Sequence, residues 1–240
     1  MAKEIHTTWI QTAPGRRAFY AHGVGAVKRP LIVVVFEVFG LNEHFQSIAI
    51  QLAQNGYCAV VPDLFDGKVF SYTDIQCAMD TAKNLDSGVI IEHITQSIDH
   101  LTNQPEVDTS RCGIIGFCMG GRISFMAACK LGTRIKSAVC FYGGSIAPVA
   151  PDRMGRTSLL TEENLSNLTA PLFLAYGSQD THIPPEEHAR IVEALGRHKK
   201  RYTLALFDGP HAFASDRRES YRAEAAKQAW KMAYEHFEML

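Results

Sequence analysis

Gly113-Ile-Ile-Gly-Phe-Cys-Met-Gly-Gly-Arg122 is the stretch on which the fold turns. Its apolar start has the composition of a buried strand, and the residues from Met119 to Leu131 predict a helix. Between them lies Gly116-x-Cys118-x-Gly120, which has the form of a nucleophile elbow with cysteine in the serine position. A sharp strand-to-helix turn leaves no room for side chains beside the nucleophile, and glycines two residues before and after it avoid that clash. Such a turn sets the sulfur above the sheet at a helix N-terminus, whose partial positive charge favours a thiolate. The backbone N–H of Met119, free at that terminus, could donate to a developing oxyanion. A tight turn around a buried cysteine is the plainer reading of the string. A phosphate-binding turn fits worse, because the glycines do not follow G-x-G-x-x-G and no Lys-Ser/Thr follows.

Working outward, strands and helices alternate. Leu31 to Phe36 is a short β-branched run of the kind buried on both faces of a parallel strand, and Glu37 ends it. Phe45, Ile48, Ala49 and Leu52 recur at helical spacing between an N-cap at Asn42 and a stop at Gly56. Tyr57 to Val61 is a second buried strand ended by Pro62, and Ile90 to Leu101 repeats the helical spacing. Further strands are expected at Ile135–Tyr142, Leu172–Tyr176 and Tyr202–Phe207, with helices at Glu186–Leu195 and Tyr221–Phe237. Ile5 to Ile10 and Arg17 to Ala21, parted by Pro14-Gly15, predict an antiparallel hairpin on the sheet edge. The segment from Ser145 to Asn167 lacks clear periodicity, and loops of that length often border a site. Alternation of this kind implies an α/β fold with a mostly parallel central sheet and helices on both faces. With no repeat or linker in the sequence, residues 1–240 are expected to form a single domain.

Two later segments complete the chemistry. In elbow hydrolases the chain order is nucleophile, acid, histidine. After the strand Leu172–Tyr176 comes Gly177-Ser-Gln-Asp180, and after Tyr202–Phe207 comes Asp208-Gly-Pro-His211-Ala-Phe213. Both residues fall beyond the carboxyl ends of strands, where ligand sites of open parallel sheets lie. An Asp in such a turn is by itself a capping residue, and a lone histidine is usually structural. The ordered set Cys118, Asp180, His211 outweighs those separate readings. His182 competes for the role of base but suits a surface loop. Glu37 falls on the same rim, either paired, with Arg122 as a candidate partner, or acting on the thiol; the next amide, Val38 N–H, could complete an oxyanion hole.

Charge and composition remove other classes. The chain carries 24 Lys+Arg against 25 Asp+Glu, so it has no electrostatic footprint for nucleic acid or an anionic membrane. No apolar run approaches the roughly twenty residues of a membrane span, and residues 1–17 contain no apolar signal core, so a cytoplasmic location is expected. None of the six cysteines forms a C-x-x-C pair; five read as reduced packing residues and Cys118 as the exception. The chain is expected to be a monomer or homodimer.

Together, Glu37-Val-Phe-Gly-Leu-Asn-Glu43, Pro62-Asp-Leu-Phe65, Gly116-Phe-Cys-Met-Gly-Gly121, Gly177-Ser-Gln-Asp180 with Pro184, and His211-Ala-Phe213 resemble the dienelactone hydrolases, cysteine-using α/β-hydrolases. The resemblance spans nearly the whole chain. It implies Cys118 as nucleophile, His211 as general base, Asp180 as its orienter, Glu37 as the carboxylate that tunes the thiol, and the Val38 and Met119 amides as the oxyanion hole. A small ester or lactone is the implied substrate, with no cofactor. The departures concern the arginines that hold a substrate carboxylate in bacterial members. No arginine follows the second buried strand before Arg111, and the position four beyond His211 is Ser215, with Arg217 and Arg218 nearby. Phe39, Phe213 and Arg217 are the candidate substrate contacts, although the aromatics could equally be core. Two alternatives remain: an esterase or thioesterase for uncharged esters, and a non-catalytic thiol redox or binding protein on the same fold.

Overall fold

A computed structural model describes residues 4–25 and 27–240. Among the described residues, eight strands form one sheet in the order β1-β2-β4-β3-β5-β6-β7-β8, and seven α-helices accompany them, the last after β8. By internal contacts the chain divides into two compact units, residues 1–114 and 115–240.

The first unit opens with β1 (Ile5–Ala13) and β2 (Arg16–Gly23), an antiparallel hairpin turned by Pro14 and Gly15. Strand β2 pairs antiparallel with β4 (Cys58–Pro62), which pairs parallel with β3 (Arg29–Val35). All of β4 and the last five residues of β3 are buried, as runs of Val, Ile, Leu and Ala flanked on both faces require. Helix α1 (Glu43–Gln54) starts where the Asn42 side chain accepts from His44 N at 3.1 Å, and it buries Phe45, Ile48, Ala49 and Leu52. Helices α2 (Ile75–Lys83) and α3 (Ser87–Leu101) follow, α3 capped by Asp86 accepting from Val89 N. Strand β5 (Val107–Phe117) is longer than its apolar half, because the polar, partly exposed residues Asp108 to Arg111 extend it.

The second unit takes up the last residues of β5 and continues through α4 (Met119–Leu131), a 3-10 turn (Gly132–Arg134) and β6 (Ser137–Phe141). Next come α5 (Glu162–Asn167), β7 (Leu172–Gly177), α6 (Pro185–Arg197), β8 (Tyr202–Phe207) and α7 (Ala223–Phe237). β6, β7 and β8 are parallel and in register, Ala138 opposite Leu172 and Leu172 opposite Tyr202. Aromatic rings fill the space between strands and α7: Phe141 stacks on Phe117 at 5.0 Å and meets Trp230 at 5.5 Å. Burying such rings supplies about 25 cal/mol per Å² of apolar surface, with further gain from offset and edge contacts. Among the described residues, no helix is long and apolar enough to cross a membrane.

Candidate active site

Cys118 sits between β5 and α4 with φ 54° and ψ −116°, a strained backbone for a residue with a side chain. Its surroundings hold it there. Cys118 N donates to Phe141 O at 3.0 Å, and Cys118 O accepts from Gly121 N at 3.0 Å and Arg122 N at 3.3 Å. A methyl at Gly116 would collide with the Gly120 carbonyl and lie 2.5 Å from Ser124 Oγ; one at Gly121 would lie 2.6 Å from Phe141 O. The glycines two before the sulfur and three after it are therefore demanded by backbone approach. Met119 N, at the first helical position of α4, has no intrahelical acceptor to reach.

The acid and the histidine come from the turns after β7 and β8. Asp180 Oδ2 accepts from His211 Nδ1 at 2.7 Å, and Asp180 Oδ1 accepts from His182 N at 2.8 Å. The Asp180 side chain is fully buried, so burial opposes its charge, yet the bond to His211 and the His182 amide hold its pKa below the ordinary carboxylate value. Burial likewise opposes a charged His211. The charge interaction with Cys118 and the bond to Asp180 win, aided by the hydrogen bond between ring and sulfur, and push the His211 pKa up to about 10. Nδ1 is committed to Asp180, which leaves Nε2 as the nitrogen for the thiol.

Further groups frame this histidine. The Tyr142 ring, from a residue with φ 38° just past β6, meets it edge-on at 5.2 Å, and the His182 ring does so at 5.1 Å. His182 is exposed, as a surface loop residue should be, but its position two after Asp180 brings it onto the base as well. Phe213 is fully buried among Tyr142, Phe141 and Phe207. Arg217 is turned toward solvent, its side chain 55% exposed and 3.7 Å from Asp216, whereas Ser215 is fully buried.

Arg122, four residues past the sulfur, donates from Nη2 to Thr157 O at 2.9 Å; burial and the charge of Arg156 lower its pKa to about 10. That bond ties down residues 145–161, which also hang on α6: Ala147 N donates to Glu187 Oε1 at 3.1 Å and Ala147 O accepts from Arg190 Nε at 2.7 Å. The segment ends in the short helix α5, which its sequence periodicity does not announce. In the first unit Glu37, Val38 and Phe39 follow β3 and are all buried, Phe39 with its ring 4.8 Å from Tyr72. Among the described residues no group of three or more His, Cys, Asp or Glu is placed to hold a metal ion.

A mostly parallel sheet with a strained residue between strand and helix and later turns carrying Asp and His defines the α/β-hydrolase class. Within it the chain belongs to the dienelactone hydrolase family, whose model matches residues 17–240, and it is an ester- or lactone-cleaving hydrolase of that kind. A protein of Escherichia coli (strain K12) called "Putative carboxymethylenebutenolidase" is 32% identical over 87% of this chain and 76% of its own. A Bradyrhizobium protein called "Probable 2-oxo-3-(5-oxofuran-2-ylidene)propanoate lactonase" is 28% identical over 96% of this chain and 93% of its own. The crystal structure of a "Putative Dienelactone Hydrolase" from Klebsiella pneumoniae superposes with a TM-score of 0.89 at 25% identity, covering 99% of this chain and 100% of that one.

Proposed function

We propose that the chain hydrolyses a small lactone or carboxylic ester through Cys118, His211 and Asp180. The observation that carries this reading is the single line of contacts from Asp180 through His211 to the elbow sulfur. Cys118 gives its thiol proton to His211 Nε2 and the sulfur attacks the carbonyl carbon, while the carbonyl π pair moves onto oxygen. Collapse of that oxyanion expels the alkoxide, which takes the proton from His211 Nε2 and, in a lactone, stays tethered to the acyl group. His211, now neutral, takes a proton from water; the resulting hydroxide attacks the thioester and the sulfur leaves as thiolate. Asp180 holds the ring orientation and the positive charge throughout. Met119 N and Val38 N are assigned to the oxyanion, and Glu37 to tuning the thiol, on the family motif that each occupies.

The test is hydrolysis of a chromogenic acetate ester and of a panel of small lactones by the purified protein, before and after iodoacetamide. Turnover should be abolished by alkylation and by Cys118→Ala, and His211→Ala should cost on the order of a thousandfold or more. Full activity in Cys118→Ala overturns the mechanism. A wild type without any turnover would instead favour a thiol sensor on the same fold.

A second reading concerns the substrate. Ser215 is buried where bacterial relatives carry an arginine, and Arg217 points to solvent beside Asp216. These positions favour esters and lactones that lack a carboxylate. Pairs of lactones differing only in a carboxylate separate the two readings by their kcat/KM.

A further inference from the structure

The first unit contains a cleft of 220 Å³ between the turn that follows β4 and the start of α3. Leu64, Leu85, Val89 and Ile90 supply apolar wall. Two exposed carboxylates, Asp66 and Asp86, stand at its rim, and among the described residues neither is in an ion pair. One oxygen of Asp86 is used to cap α3, accepting from Val89 N at 3.0 Å. At the inner wall His93 is only 6% exposed, and among the described residues its ring nitrogens make no hydrogen bond. Burial, then the nearby charge of Arg16, lowers the pKa of His93, so at neutral pH the ring offers one donor and one acceptor nitrogen. A polar group that lines a cleft and has no protein partner there is a candidate ligand contact.

We propose that this cleft binds a small organic ammonium compound whose apolar body carries a hydroxyl or similar polar group. The ammonium lies at Asp66 and Asp86, the body against Leu64, Leu85, Val89 and Ile90, and the polar group meets His93. The other charges nearby do not compete for it. Arg16 is held by Glu92 at 3.1 Å and Gln96 at 3.0 Å, and Asp63 is held by Arg17 at 2.8 Å. An anion would gain from the N-terminus of α3, but Asp86 already occupies that end and Asp66 adds a second repulsion. A purely apolar compound would bury the rim carboxylates further without pairing them and would leave His93 unsatisfied. The site is separate from the catalytic reading, and turnover is not its readout.

Tyramine is the probe, followed by NMR of the His93 ring and of the Leu64, Leu85, Val89 and Ile90 methyls. Phenethylamine removes the hydroxyl, 4-ethylphenol removes the charge, and 4-hydroxyphenylpropanoate reverses it. Tyramine should give saturable shifts at these groups, phenethylamine and 4-ethylphenol weaker ones, and the anion none. Asp66→Asn combined with Asp86→Asn should weaken tyramine about tenfold or more, the loss of a charge pair. Asn is as good an N-cap as Asp, so α3 keeps its start in that variant. His93→Phe, checked for folding by its thermal midpoint, should erase the preference for tyramine over phenethylamine while binding of phenethylamine persists. No saturable shift up to about 20 mM tyramine, equal shifts from amine and anion, or undiminished binding in the double variant overturns the proposal.

Discussion

His211 Nδ1 and Asp180 Oδ2 lie 2.7 Å apart, and Asp180 spends its other oxygen on the His182 amide at 2.8 Å. Both oxygens of a fully buried carboxylate are thus satisfied, one by the ring it orients and one by its own turn. Asp180→Asn keeps the size and removes the charge. The amide can present an N–H to Nδ1 and stabilise the wrong tautomer, and the imidazolium loses its counter-charge. The expected outcome is a fall in kcat/KM of roughly a hundred- to ten-thousandfold with the fold retained. Circular dichroism with ester kinetics checks both halves, and unchanged kcat/KM would remove Asp180 from the mechanism.

The histidine pKa has a sign that can be tested. Its folded value, about 10, lies above the ordinary 6.5, so the protonated ring is the form the fold favours. That contribution to stability is fully present below about pH 6.5 and is lost as pH rises through about 10. Urea unfolding at a series of pH values should show the wild type losing stability across that window. Cys118→Ala should lose less, because the sulfur is the first of the groups that raise the pKa. The same proton goes to the leaving alkoxide, so kcat/KM should have an alkaline limb near pH 10. A limb at the ordinary histidine value contradicts the raised His211 pKa.

How much of this was legible in the sequence varies with how local the determinant is. Helix α4 runs from Met119 to Leu131 and β8 from Tyr202 to Phe207 as their patterns predict, because an elbow glycine set and a turn at Asp208-Gly209 bracket them. Helix α2 escaped the reading because its buried stripe is only Ala78 and Ala82 and its cap residue Asp74 makes no side-chain capping bond. The polar half of β5 escaped for the converse reason, since Asp108 to Arg111 show no apolar alternation. In the site, chain order brought out Cys118, Asp180 and His211. The contacts of His211 with Tyr142 and His182 depend on turns after three different strands. Only the spacing of His182 from Asp180 offered a local signal. Aromatic identity could not separate pocket wall from core, and Phe39 and Phe213 are both buried.

Two glycine substitutions separate necessity from tolerance. A methyl at Gly121 would meet Phe141 O at 2.6 Å and Gly143 Cα at 2.9 Å, all backbone with nothing flexible to yield. Gly121→Ala should destabilise by about 3 kcal/mol or more and should lower activity further by shifting the elbow. Gly196, inside α6, has open space where its Cβ would be. Gly196→Ala should stabilise by about 0.5–1 kcal/mol through reduced freedom of the unfolded chain. Denaturant midpoints measure both, and a tolerated alanine at 121 would show that the elbow can open.

Arg217 tests the question of substrate charge. Its side chain is 55% exposed and faces Asp216 at 3.7 Å, a pair whose contribution is small and screened by salt. An arginine that anchors a substrate carboxylate should, when replaced, raise KM for carboxylated lactones about tenfold or more while leaving neutral ones alone. From its solvent-facing position, Arg217→Ala is expected instead to change KM for both kinds by less than about twofold. Steady-state kinetics on matched neutral and carboxylated lactones, at low and high salt, distinguishes the two. A selective rise for the carboxylated substrate, stronger at low salt, would mean that Arg217 swings inward to bind it and that the neutral-substrate reading is wrong.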